Sequence, residues 1–146
     1  GKIWLNPTVV ATYYNQNTLY KFYKKQMLIE APYNAYMWYL APYTFTYRHA
    51  ITGVFVIGLI GGFLLYPFIL FTRYIFFSVL VLYFVLATIS AFQQAIRYNN
   101  PLHIFVLPIC FFLYHILHGL GLLGGLLRLV TGTSPVQSHS NKPKLY

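Results

Sequence analysis

Three long stretches of this sequence carry no charged side chain: Ala50 to Phe71, Tyr74 to Ile96 and Leu102 to Leu127. Each reaches the roughly 20 residues that a helix needs to cross hydrocarbon. Lipid offers no water to a bare backbone, so each stretch must satisfy its own N–H and C=O groups as a helix. Between them lie Thr72-Arg73, short enough only for a tight turn, and Arg97-Tyr98-Asn99-Asn100-Pro101, a polar loop closed by proline. The pattern predicts a mainly α, integral membrane protein whose residues 50–130 form three transmembrane helices, at 50–71, 74–96 and 102–127. A secretory signal peptide is excluded, because the apolar segments are long, repeated and internal.

Charge narrows the chemistry. Ten Lys and Arg face one acid, Glu30, for a formal net charge of +9, and charged residues make up only 8% of the chain. A soluble domain carries about a quarter. Paired carboxylates for glycoside hydrolysis, a Ser-His-Asp triad and oxygen cages for Mg²⁺ or Ca²⁺ all need acids that this sequence lacks. Cys110 stands alone, which rules out an intrachain disulfide and a Cys-x-x-Cys site. The basic residues are scattered singly between apolar blocks, a pattern that fits a lipid bilayer as partner and not nucleic acid.

The first 48 residues differ in character. Ile3-Trp4-Leu5 and Thr8 to Tyr14, split by Asn6-Pro7, read as strand, turn, strand, so 1–16 is expected to be strand-like. Over 17–48 an interfacial helix and an aromatic linker are expected. Asn17 or Thr18 caps the helix, Leu19, Phe22, Tyr23 and Met27 share one face, Lys21, Lys24 and Lys25 another, and Ala31-Pro32 stops it after Glu30. Lys21, Lys24, Lys25 and Arg48 would then attract anionic headgroups, each worth about 1 kcal/mol, and Tyr36, Trp38, Tyr39 and Tyr43 would form an aromatic belt. Residues 131–146 read as a polar, disordered tail.

Orientation follows the basic residues. Lys2, Lys21, Lys24, Lys25, Arg48 and Arg97 fall on one side, and Arg73, Arg128, Lys142 and Lys144 on the other. The excess places the N-terminus in the cytoplasm and the C-terminus outside, in a plasma (inner) membrane. Gly58 and Gly62, and again Gly121 and Gly125, stand four apart, the spacing that lets helix backbones approach in lipid.

His115 and His118 share a face of the third span. An intramembrane imidazole is costly and calls for a function or a hydrogen-bonding partner. Axial ligation of haem b by His115 is one reading; hydrogen bonding of both rings to neighbouring helices is the other. A metal site is not expected, since no carboxylate or third ligand lies near. The membrane-anchor subunits of succinate dehydrogenase carry a His-Arg-x-Thr-Gly element before one helix and Tyr-His-x-x-x-Gly further on. Arg48-His49-Ala50-Ile51-Thr52-Gly53 and Tyr114-His115-Ile116-Leu117-His118-Gly119 resemble them, with Arg and His reversed, and Gly121-Leu122 stands where an Arg-His pair would follow. His103 lies twelve residues before His115, about 18 Å along a helix. A bis-histidine haem would therefore draw its second ligand from a partner subunit.

A second resemblance covers more of the chain, roughly 1–130. Gly1 to Pro7, Tyr13-Tyr14 before Thr18-Leu19-Tyr20-Lys21 and Gln26, Tyr47-Arg48-His49, and the His-x-x-x-Gly-x-Gly-x-x-x-Gly pattern from His115 to Gly125 follow one another in order. They resemble the C-terminal end of membrane-bound family 2 glycosyltransferases of the exopolysaccharide, succinoglycan-biosynthesis type. That resemblance implies the end of a cytoplasmic catalytic domain and its membrane anchor, with Gln26 facing the nucleotide-sugar side. It also implies a missing or separate nucleotide-sugar-binding domain and a lipid-linked or growing saccharide as acceptor. The chain has no aspartate, so on this reading it is catalytically silent by itself and needs no cofactor of its own. A structural subunit of a larger membrane complex is the third reading.

Overall fold

The computed structural model describes residues 8, 10, 12 and 16–140. Its elements are helices: α1 (Leu19–Lys25), a π-helical turn (Gln26–Glu30), α2 (Ala31–Leu40), a 3₁₀ turn (Pro42–Thr44), α3 (Tyr47–Leu65), α4 (Leu70–Arg97), α5 (His103–Val130) and α6 (Pro135–Ser140). Three helices are long and apolar enough to cross a membrane, those beginning at Tyr47, Leu70 and His103. No strand occurs among the described residues. The strand-like segment expected over 1–16 falls mostly outside them, and Thr8, Val10, Thr12 and Gln16 are not in strands.

The first span is shorter than 50–71 because Pro67 lies inside that range. Tyr66 still has helical backbone angles and bonds to the Gly62 carbonyl, but Pro67 has no N–H to carry the ladder on, and the chain turns over Tyr66 to Phe68 instead of at Thr72-Arg73. Arg73 opens α4 and reaches back to the end of α3. Its Nε donates to the Tyr66 carbonyl at 2.8 Å and its Nη2 to the Pro67 carbonyl at 3.2 Å. Those carbonyls would otherwise be orphaned.

Thr18 caps α1, its hydroxyl accepting the Lys21 N–H at 3.3 Å. The helix does not stop at Ala31-Pro32. Pro32 lacks an N–H, and its ring would collide with the carbonyl four residues back in a regular helix. The π-helical turn absorbs it: Ala31 N–H bonds to the Gln26 carbonyl, five residues back, and the helix continues to Leu40. The result is one long rod of 19–40.

That rod does not lie across the ends of the other helices as an interfacial helix would. The Tyr23 hydroxyl donates to the Cys110 carbonyl at 3.1 Å, Phe22 stacks on Tyr114, Met27 and Ala31 abut Gly121, Pro32 and Ala35 abut Gly125, and Trp38 and Leu129 both pack on the cluster of Ala31, Ala35 and Leu122. Partners advance together along both helices, so the rod runs parallel to α5 from Cys110 to Leu129. α5 is the centre of the bundle, with α2, α3 and α4 each packed on it. On α4 the contacting face is Ala87, Ala91 and Ala95, all buried at one-turn spacing.

The segment after α5 is folded in its described part. Thr133 N–H returns to the Arg128 carbonyl, and buried Ser134 donates to Gln137 Oε1 at 2.7 Å. Gln137 Nε2 donates to the Leu129 carbonyl at 3.1 Å. Those bonds hold α6 against the end of α5, where a disordered tail was expected.

Candidate intramembrane histidine site

His118 is where three helices meet. Its Nδ1 lies 2.9 Å from Thr52 Oγ1 on α3, and its Nε2 lies 3.4 Å from Asn34 Nδ2 on α2. The Thr52 hydroxyl has one proton, already donated to the His49 carbonyl at 2.7 Å. It can therefore only accept from His118, which puts the imidazole proton on Nδ1 and leaves Nε2 to accept from Asn34. Both nitrogens are used, the ring is neutral, and only 1% of the residue is exposed. A polar group in hydrocarbon must be satisfied in this way.

Two other rings close around it. His49 stacks on His118 at 5.6 Å between centroids, and Tyr114 lies tilted at 5.5 Å. The backbones approach as closely as the side chains do. A Cβ on Gly119 would overlap the Thr52 carbonyl, and one on Gly53 would press on the Leu122 side chain. The Arg48–Gly53 and Tyr114–Gly119 elements, 66 residues apart at Thr52 and His118, are thus packed on each other.

His115 is placed differently. Its Nδ1 lies 2.8 Å from the Tyr83 hydroxyl of α4, in a nest of aromatic rings formed by Phe55, Tyr83, Phe84 and Phe112. The ring also hydrogen-bonds to the Phe111 backbone one turn earlier in α5. A ligating histidine uses one nitrogen for the metal and the other for a hydrogen bond that fixes its tautomer and ring plane. His118 spends both nitrogens within the bundle, whereas His115 is held against α4 through Nδ1. Among the described residues no group of three or more His, Cys, Asp or Glu could hold a metal ion directly.

The basic residues do not gather into one headgroup site. Lys21 and Lys24 are exposed on α1, with Lys24 over the Tyr20 ring at 6.0 Å, while Lys25 pairs with Glu30 at 2.9 Å. Gln26 is half-buried in the π-helical turn. Arg48 is exposed at the head of α3 beside His49. Gly121 and Gly125 lie at the α2–α5 crossing, Gly62 lies under the Phe76 ring of α4, and a Cβ on Gly58 would meet no other helix of the described residues within 4 Å. Of the aromatic residues, Tyr36 is buried in the bundle and Tyr39 and Tyr43 are exposed.

Asn34, Thr52 and Tyr83 carry the network, and only Thr52 sat in a motif. Asn34 was legible in principle as the one amide amid the apolar and aromatic residues of Ala31 to Leu40. Tyr83 is one of fifteen tyrosines, with nothing local to single it out. Comparison with protein-family models, curated proteins and solved structures returns no match.

Proposed function

We propose that this chain is a membrane-embedded subunit of a larger complex that carries haem b in the manner of the succinate dehydrogenase anchors, with His115 as an axial ligand through Nε2. One observation supports this reading above the others. The two sequence elements that resemble those anchors pack on each other, and within them His118 has both nitrogens taken by the bundle while His115 is held through Nδ1 by Tyr83 of α4. Haem b would supply one-electron transfer. The chain's own residues supply orientation and exclusion of water. Tyr83 holds the ring through Nδ1 at 2.8 Å, and in the tautomer with the proton on Nδ1 the lone pair would be on Nε2. Phe55 and Phe112 pack on the Tyr83 ring. A second histidine ligand would have to come from a partner subunit, since His49 is stacked on His118 and α4 contains no histidine.

The glycosyltransferase-anchor reading rests on the collinear order of its elements and the His115–Gly125 glycine pattern, on residues 1–7, 13 and 14, which lie outside the described residues, and on a helix lying at the interface, whereas 19–40 runs along α5. No specific observation favours it.

The test is an optical spectrum of the complex solubilised in mild detergent from its own membrane. A sharp reduced α-band is expected. His115→Ala should abolish it, His118→Gln should keep it, and Tyr83→Phe should keep it with a shifted midpoint potential. A wild-type complex without the band overturns the proposal.

A further inference from the structure

The seam between α3 and α4 ends on a fixed cation. A groove of about 360 Å³ runs along it, from Ile51 and Val79 past Val54 and Gly58 to Gly62 and Thr72. Its lining is apolar except for Thr72, and a Cβ on Gly58 would meet no other helix of the described residues within 4 Å. One turn beyond Gly62, Tyr66 holds the neighbour of Thr72. The Arg73 guanidinium lies 5.1 Å from the Tyr66 ring centroid, and its Nε and Nη2 donate to the Tyr66 and Pro67 carbonyls. Those two bonds orient the group without neutralising it, and the guanidinium has five N–H donors. No carboxylate pairs with it among the described residues, where Glu30 is joined to Lys25. Arg73 stands at the join of two membrane-length helices, which is a membrane surface, and exposed Tyr74 follows it, as aromatic residues do at that level.

The dimensions select the occupant. From Ile51 to Gly62 a helix rises about 16 Å, close to one leaflet of a hydrocarbon core about 30 Å thick. A volume of about 360 Å³ drawn out over that length is narrow. An extended hydrocarbon chain lies along it, whereas a helix roughly 10–12 Å across does not enter.

We propose that this groove holds one acyl chain of a phospholipid whose phosphate is bound by Arg73. Arginine meets phosphate through its planar fork, by two parallel N–H···O bonds. The carbonyls of Tyr66 and Pro67 set that fork in place before the lipid arrives, and the open floor at Gly58 takes the chain. The site does not rest on haem at His115, and its test reads lipid, not an optical band.

Native mass spectrometry of the full chain, extracted in mild detergent from its own membrane, identifies the occupant. One phospholipid per chain is expected to survive washing that strips the other lipids. Gly58→Leu should expel it by filling the groove, with Arg73 untouched. Arg73→Gln should weaken retention about tenfold, the scale of a lost charge-assisted hydrogen bond, and Arg73→Lys should recover part of it. Circular dichroism checks that each variant keeps its helices. Delipidated wild type should bind dioleoylphosphatidylglycerol about tenfold more tightly than dioleoylglycerol, which has the same acyl chains and no phosphate. Equal binding of the two, or a wild-type chain that emerges without lipid, would overturn the proposal. So would unchanged retention in both Gly58→Leu and Arg73→Gln, or a photocrosslinker at Val54 that labels a polypeptide in native membranes in place of lipid.

Discussion

Two seams of the bundle use the same glycine spacing and differ in everything else. At the α2–α5 seam, Gly121 and Gly125 meet backbone: the Met27 carbonyl, the Pro32 Cα and carbonyl, and the methyl groups of Ala31 and Ala35. At the α3–α4 seam, Gly62 meets the edge of the Phe76 ring, Gly58 meets nothing within 4 Å, and a cavity of about 360 Å³ opens between Val54, Phe55, Gly58, Leu59, Ile75 and Phe76. Lipid is as apolar as leucine, so helices gain from contact only where atoms fit. A pair of glycines on one helix makes a close crossing only if the opposite helix also presents small residues or bare backbone. Ala31, Pro32 and Ala35 do so; Phe76 does not.

The largest effect is therefore expected at the first seam. In Gly121→Val with Gly125→Val, each new side chain meets rigid backbone, and overpacking of this kind costs typically 1–3 kcal/mol per site. Unfolding in mixed micelles, followed by circular dichroism, should show destabilisation by about 3 kcal/mol or more. The rod of 19–40 should detach from α5, read as a gain in proteolysis near the Gln26–Glu30 turn. A variant as stable as the wild type would mean that the two helices do not cross at these glycines.

The next effect tests the polar stitch beside that seam. Thr52→Val keeps the shape of the side chain and removes the acceptor for His118 Nδ1–H, leaving a buried donor unpaired. Interhelical hydrogen bonds in membranes are worth about 0.6 kcal/mol on average and up to about 1.7. Because His118 is almost fully buried, a loss near 1–2 kcal/mol is expected in the same unfolding assay. Thr52→Ser should recover most of it, since serine restores the hydroxyl. A Thr52→Val variant as stable as the wild type would show that the hydrogen bond does not matter.

The contrast also shows what the sequence could reveal. Long apolarity is local, so three membrane-length helices were legible, and Pro67 explains why the first ends at Leu65. The rod of 19–40 was not. Lysines on α1 read as a surface feature, and Ala31-Pro32 read as a stop. The outcome there depends on a non-local fact: Gly121 and Gly125 open room for the Met27 and Pro32 backbone, and the π-helical turn then lets the proline pass. The histidine network was half legible. His115 and His118 were visible as a pair, but which one the bundle consumes depends on Thr52 and Asn34, 66 and 84 residues away. No spacing rule connects residues so distant in the chain.

The smallest expected effect is the most discriminating, because its sign is opposite. Gly58 carries the same spacing signal as Gly121, yet a Cβ there meets open space. Glycine in a helix interior costs about 1 kcal/mol relative to alanine, and alanine also restricts the unfolded chain. Gly58→Ala is thus expected to stabilise the isolated chain by a few tenths to about 1 kcal/mol in micelles, against a clear loss for Gly121→Ala. A second comparison sharpens this one. If the variant gains stability in micelles but lowers the yield of the native complex, another chain fills the groove at Gly58, and the opening between α3 and α4 belongs to an assembly interface. If the gain persists in the complex, lipid fills that groove.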